Sequence, residues 1–361
     1  SFSDSYFWYF YFSNQQFFSL EYTTSETKKG GICLKKKIII TVIGLVFIVS
    51  LFVVYSIFKK EEDTSLTKIR LAEVTHSPFY APLYVAIEEG YMEEEGIDIE
   101  LLLTPGADKV AAAVLSGDVE VGFAGEESAI YIYAGEEEDY LVTFAGLTKR
   151  DGQFIISREE DFSWEDLEGQ EVLVGRQGGM PALNFINALE NAGIDPAKVN
   201  LNYSVEFASL SGSFIGGVGD YVNLFEPNAT LLEQEGYGHV VASIGRLSGE
   251  MPYTAFYTKK SYLEENKDLL ERFSRAINKG LDYVQTHTAR ETAEVILPQF
   301  TDSSLDELEM FVARYKESDS WLSSTYIPEE YFKNLEDLMI ENDLLEDYVP
   351  YDDLIYNFSN E

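Results

Sequence analysis

The residues best equipped to hold a small molecule fall in short loops that follow apolar, strand-like runs. The loop 75–80 sets His76, a donor or acceptor near neutral pH, beside Phe79 and Tyr80, whose rings offer flat stacking faces. "TPGAD" (104–108) puts Gly106 where a backbone can approach a ligand closely, with Asp108 as a cap for the next helix. "GRQGGMP" (175–181) carries Arg176, Gly178 and Gly179 between a strand and a helix, so its N–H groups suit a polar ligand. Arg176 suits an anionic ligand group or a partner carboxylate such as Glu226. Each stretch has a structural alternative: a capped helix start with buried rings, an ordinary turn, a solvated or paired arginine. What these side chains offer is recognition chemistry. No serine sits in a G-x-S-x-G elbow, no H-E-x-x-H occurs, and "GRQGGMP" lacks the G-K-[ST] of a nucleotide-hydrolysing loop.

The other candidate ligating residues read as structural. His239 precedes an apolar strand and His287 ends a helix, where an imidazolium suits the dipole; neither has metal-ligand company, so no metal and no cofactor are expected. The one cysteine, Cys33, excludes an internal disulfide framework and a cysteine-based zinc cluster. The sequons at Asn202, Asn228 and Asn357 read as chance matches.

Those loops need elements to position them. A strand is expected from Ile69 to Val74, a helix over 81–95 with Pro82 in its first turn, and a strand "IDIELLL". A helix "GADKVAAAVLSGD" ended by Gly117 follows, then a strand "VEVGFAG". This β-α-β-α-β order argues for a largely parallel sheet with covered faces. The pattern returns in "EVLVG" (171–175), a helix over 180–193, "VNLNYSV", "YVNLFEP" and "HVVASI", with the glycine-rich "SGSFIGGVGD" (211–220) read as a flexible turn. From Ser261 the chain turns helical, with apolar residues at three- and four-residue spacing.

Composition sets the class. The chain has 361 residues, 45% of them hydrophobic, enough for a two-lobed body. Its formal net charge is -37, concentrated in residues 59–361 with 60 acids and 21 bases, so phosphate backbones are repelled and nucleic acid is excluded as a partner. Residues 38–58 are 21 uncharged, mostly apolar residues, which as a helix at about 1.5 Å per residue span roughly 30 Å of hydrocarbon. Five lysines precede that run, which puts the N-terminal side in the cytoplasm and the acidic body outside. The run is expected as an uncleaved transmembrane anchor, with a secretory signal as the alternative. Residues 1–37 are expected as a disordered leader and 59–67 as a linker.

The run from "IRLAEVTHSPFYAPLYVAIEEGYMEEEGIDIELLL" through "LSGDVEVGFAG" resembles the N-terminal motif of ABC-importer solute-binding proteins of the SsuA/THI5-like family, the sulfonate, nitrate and thiamine-precursor class. "LTKRDGQFIISRE", "LEGQEVLVGRQGGMPALNF" and "GDYVNLFEPNATLLE" resemble later family phrases. The resemblance implies a periplasmic-binding-protein-like type II α/β fold, two lobes closing on a ligand cleft. It sets lobe I at 68–156 with its continuation and C-terminal helices at 252–361, and lobe II at 157–251. It places Gly125, Glu126, Ser128 and Glu226 at the cleft, although Glu126 or Ser128 can equally cap a helix. The implied function is an extracytoplasmic, anchored, monomeric receptor in a bacterial cell membrane. It captures a small polar or heteroaromatic nutrient, a thiamine-precursor pyrimidine in the favoured case, for an ABC permease and its cytosolic ATPase. The alternatives are a sulfonate- or nitrate-type anion binder, a pyrimidine-synthesis enzyme of the THI5-like kind, and a membrane-anchored ligand sensor. The enzyme reading is disfavoured because Cys33 precedes the apolar run.

Overall fold

The computed structural model describes residues 66–358. The expected leader, the apolar run 38–58 and nearly all of the linker lie outside the described residues. Among the described residues no helix is long and apolar enough to cross a membrane.

The first sheet begins where the sequence places it. β1 (Thr67–Glu73) pairs in parallel with β2 (Ile97–Leu103) and with β3 (Val121–Gly125), because the helical crossovers between them leave no room for hairpins. β4 (Leu141–Thr148) and the late-returning β10 (Thr254–Lys259) complete the order β2-β1-β3-β10-β4. β10 runs antiparallel to both neighbours, so the sheet is mixed rather than purely parallel. The second sheet has the same plan: β5 (Phe154–Ser157), β6 (Glu171–Leu173), β7 (Asn200–Asn202), β8 (Tyr221–Leu224) and β9 (His239–Ser243), in the order β7-β6-β8-β5-β9, with β5 as the antiparallel insert.

The chain passes between the sheets twice, over 149–153 and over 244–253. β5 lies wholly in the second sheet, so the lobe boundary expected after residue 156 falls inside a strand. The second half keeps a core of its own, with Ile155, Val172, Phe185 and Leu189 buried together. A larger core covers the first sheet and continues across the junction, joining Phe79, Phe123 and Phe256 to Phe154, Leu173 and Phe225.

Two local expectations change. The helix expected over 81–95 is two helices, Ala81–Glu88 and Tyr91–Glu94, because Gly90 adopts a left-handed φ of 74° that a continuous helix does not allow. The stretch 211–220, expected as a flexible turn, overlaps the helix Leu210–Ile215, anchored by the buried Leu210 and Phe214. The C-terminal helices, among them Lys267–Thr286, Ala289–Ile296 and Leu305–Glu317, cover the first half. Close packing there depends on Gly280, whose absent Cβ would stand 2.1 Å from the Pro82 carbonyl oxygen.

Candidate functional site

The loop after β1 is held rigidly. Ser77 takes an extended conformation and its hydroxyl accepts from the Phe79 N–H at 3.3 Å, capping a tight turn over Pro78–Tyr80 that feeds the helix Ala81–Glu88. This drives Phe79 between the halves. Its ring lies 5.5 Å from Phe225 of the second half, 5.8 Å and edge-on from Tyr253 of the return crossover, and 5.0 Å from Tyr315. Gly152 makes room, since a Cβ there would stand 2.6 Å from the Phe79 ring. Trp321 fixes the loop from behind by donating to the Phe79 carbonyl at 2.8 Å. Tyr80, next in line, meets Phe123 edge-on at 4.5 Å.

Beside these rings the crossovers and their flanking elements carry buried polar groups with unspent capacity. Asp151 is fully buried; Oδ1 accepts from the Gln153 N–H at 2.5 Å, while Oδ2 faces the Tyr253 hydroxyl and neither finds a partner of good geometry. Gln153 donates to the Asn223 carbonyl at 3.3 Å but leaves Oε1 unpaired, and the Asn223 side chain leaves both polar atoms unpaired. Asn184 donates to the Met180 carbonyl at 3.0 Å and keeps Oδ1 free, and Glu127 keeps Oε2 free. Buried polar atoms are nearly always paired in folded proteins, so this concentration marks groups that a polar guest can satisfy.

Burial sets the electrostatics. It pushes the Asp151 carboxyl up to about 8 against the Gln153 N–H and Tyr253 hydroxyl, which act to lower it. It pushes Glu127 up to about 7, opposed by Arg176 and by the Met180 N–H. The Tyr80 and Tyr253 hydroxyls are raised by burial too, and both feel the Asp151 and Glu127 carboxyls, which puts all four groups in one neighbourhood.

The expected site residues divide. Phe79, Tyr80 and the two loops 124–129 and 175–181 come together. Arg176 stands 3.7 Å from Glu127, Tyr131 donates to the Gly178 carbonyl at 2.9 Å, and a Cβ on Gly125 would strike Glu127 Oε2 at 2.0 Å and Met180 Cγ at 2.7 Å. Gly179 stays in this turn, its N–H donating to the Arg176 carbonyl at 3.3 Å. Ser128 is occupied, donating to the Gly125 carbonyl at 2.6 Å. Gly106 is the N-cap of Ala107–Ser116, and a Cβ there would meet its own Asp108 and Lys109.

Of three further residues expected at the ligand, two are spent elsewhere and one only in part. His76 Nδ1 lies 2.7 Å from the Glu73 carboxylate and Nε2 lies 3.0 Å from the Gln299 carbonyl, with Phe300 stacked at 4.8 Å. Glu226 accepts the Thr230 N–H at 2.9 Å and the Thr230 hydroxyl at 2.8 Å, and pairs with Arg314. Glu126 Oε2 accepts from Thr143 at 2.7 Å while the buried Oε1 stays unpaired, and burial raises its carboxyl to about 8. His76 and Glu226 serve packing and pairing, and Glu126 keeps the same kind of unspent acceptor as Glu127. Asp151, Gln153, Glu127, Asn184, Asn223 and Tyr253 were not singled out from the sequence. The available signal was polar residues set into apolar runs, as in "RDGQF" and "YVNLF".

Two five-stranded α/β sheets of like topology, crossed twice by the chain and meeting at a polar and aromatic junction, define the class of two-lobed solute-binding proteins. The NMT1/THI5-like family model matches residues 77–290, and the chain belongs to that family. YtlA of Bacillus subtilis (strain 168), provisionally named a binding protein, is 38% identical over 316 residues, covering 87% of this chain and 95% of that one. A formylaminopyrimidine-binding protein of Halalkalibacterium halodurans is 24% identical over 213 residues, 56% of this chain and 61% of its own. A 4-amino-5-hydroxymethyl-2-methylpyrimidine phosphate synthase of Aspergillus parasiticus is 25% identical over 233 residues, 61% of this chain and 67% of its own. Among solved structures, the alkanesulfonate-binding protein SsuA from Xanthomonas axonopodis pv. citri superposes with a TM-score of 0.64 at 15% identity, covering 81% of this chain and 98% of that one. The fold is therefore that of the periplasmic binding proteins.

Proposed function

We propose that this chain is the extracytoplasmic substrate-binding component of an ABC importer. It captures a small heteroaromatic ligand that carries hydrogen-bond donors, of the aminopyrimidine class, by closing its two halves. The observation that carries this reading is the pairing of ring faces from Phe79, Phe225 and Tyr253 with the buried, under-used carboxyls of Asp151 and Glu127. Rings stack on rings, and a carboxyl accepts from an exocyclic amine. The two pyrimidine-handling relatives support the same ligand class. A sulfonate or nitrate calls for donors and cations; Arg176 is 51% exposed and turned to Glu127, and Arg150 in the first crossover is paired with Glu250.

Binding without catalysis is supported by the 38% identical relative, a binding protein, over nearly its whole length. The apolar run 38–58 supports a membrane tether that holds the acidic body outside, where a permease and its ATPase receive the ligand. The test is a thermal-shift screen of the full chain with formylaminopyrimidine, 4-amino-5-hydroxymethyl-2-methylpyrimidine, an alkanesulfonate and nitrate. A ligand at a hundred times its Kd adds about 2.7 kcal/mol of stability, a shift that a melting curve resolves. The pyrimidines are expected to raise Tm; a response to the alkanesulfonate or nitrate alone overturns the ligand class.

A further inference from the structure

We infer that Arg314 and Glu226 form a ligand-independent latch that holds the two halves closed. This inference rests on the reading that the halves close over a ligand. Glu226 follows β8 in the second half, and groups attached to the first half grip each of its polar ends. The Ser77 hydroxyl donates to the Glu226 carbonyl at 2.8 Å, the Glu226 N–H donates to the Tyr315 hydroxyl at 3.0 Å, and Arg314 Nη1 donates to its carboxylate. The same Nη1 reaches the Thr230 hydroxyl at 2.6 Å, and Nη2 lies 3.4 Å from Glu233. Arg314 and Tyr315 belong to the helix Leu305–Glu317, which packs on Ala289–Ile296 and on the turn Pro78–Tyr80 of the first half.

The carboxylate does not need Arg314 to remain satisfied. Within its own half, Glu226 already accepts two hydrogen bonds from Thr230 at the start of the helix Asn228–Gln234. The guanidinium contact is therefore an addition that exists only while the halves touch, and it is charge-assisted with the carboxylate wholly buried. Contacts of this kind raise the closed fraction before any ligand arrives, and apparent affinity scales with that fraction. Arg314 acts as a positioning residue: it sets how often the ring faces of Phe79 and Phe225 meet.

The test uses the full chain without ligand, so that it stands apart from the choice of ligand. Spin labels are placed at one exposed site on each half in a Cys33→Ser background, and their distance distribution is measured. The wild type is expected to show the short distance at low salt. Arg314→Gln and Glu226→Gln each raise the open-to-closed ratio by about tenfold or more, and the double variant adds little to either single change. Arg314→Lys falls between, keeping the charge and losing the fork, and Arg290→Gln, which removes exposed pairs inside the first half, leaves the distances alone. The inference is overturned by a wild type that is open without ligand. It is equally overturned by Arg314 variants that melt earlier while keeping the wild-type distances, the mark of a merely structural contact.

Discussion

Asp151→Asn keeps the shape of the side chain and an oxygen to accept from the Gln153 N–H, and removes only the titration. Burial holds the native carboxyl at about 8, against 3.8 for an ordinary aspartate. Between those values the folded chain retains a proton that the unfolded chain has released, so raising the pH favours unfolding. The stability that this group contributes is full below about pH 4 and is lost as the pH climbs through about 8. Inside that window each pH unit changes the unfolding equilibrium by a factor of ten, about 1.4 kcal/mol, relative to the asparagine variant. Glu126 and Glu127, raised to about 8 and about 7, slope the same way but are present in both proteins and cancel from the difference. Urea unfolding of both ligand-free proteins at pH 5, 6, 7 and 8 measures that difference directly. The wild type is expected to lose ground steadily as the pH rises. An ionised carboxylate accepts from an amine more strongly than a protonated one, so aminopyrimidine affinity is expected to rise from pH 6 to 8 in the wild type, and calorimetry in buffers of different ionisation heat is expected to record proton release. Parallel stability profiles for the two proteins, with no proton released on binding, refute the reasoning.

Other perturbations test the frame around that group. Gly280→Ala sets a methyl 2.1 Å from the Pro82 carbonyl oxygen, and the helix-propensity gain of about 1 kcal/mol does not offset a clash with fixed backbone, so Tm falls by several degrees. Phe79→Ala removes a fully buried ring at the junction; denaturant unfolding should register a loss of about 3–5 kcal/mol, and the pyrimidine thermal shift should disappear with it. At His76 burial lowers the imidazole pKa, yet the bonds to Glu73 and the Gln299 carbonyl outweigh it and the net shift is upward. Both partners are acceptors, which favours the protonated ring. The wild-type advantage over His76→Gln is then full below about pH 6.5 and shrinks at higher pH; an advantage that grows with pH in paired unfolding curves contradicts the charged histidine.

What the sequence made legible was whatever is decided locally. Apolar runs marked β1, β2 and β3, the last two with glycine close by, and Pro82 and Gly117 marked helix ends, because those signals act within a few residues. β10 escaped notice because its place between β3 and β4 is a pairing across more than a hundred residues, and "TAFYTK" carries no local sign of it. The site obeys the same division. Loops at strand ends could be named from their neighbours, but whether a polar side chain there is free depends on distant partners. Glu226 is tied up by Arg314, 88 residues away, and His76 by Gln299, 223 residues away. The converse holds for Asp151 and Glu127. In a chain with 63 acidic residues nothing in the local text sets two of them apart, since nearly all such carboxylates are solvated and ordinary. What separates them, together with Glu126, is that the fold denies them water and leaves one carboxyl oxygen of each without a partner, and removal from water is what makes a carboxyl responsive to a donor, a proton or a ligand. On the proposed reading, selectivity at this junction would reside in a few desolvated acids, while the rest of the negative surface governs how the body is solvated.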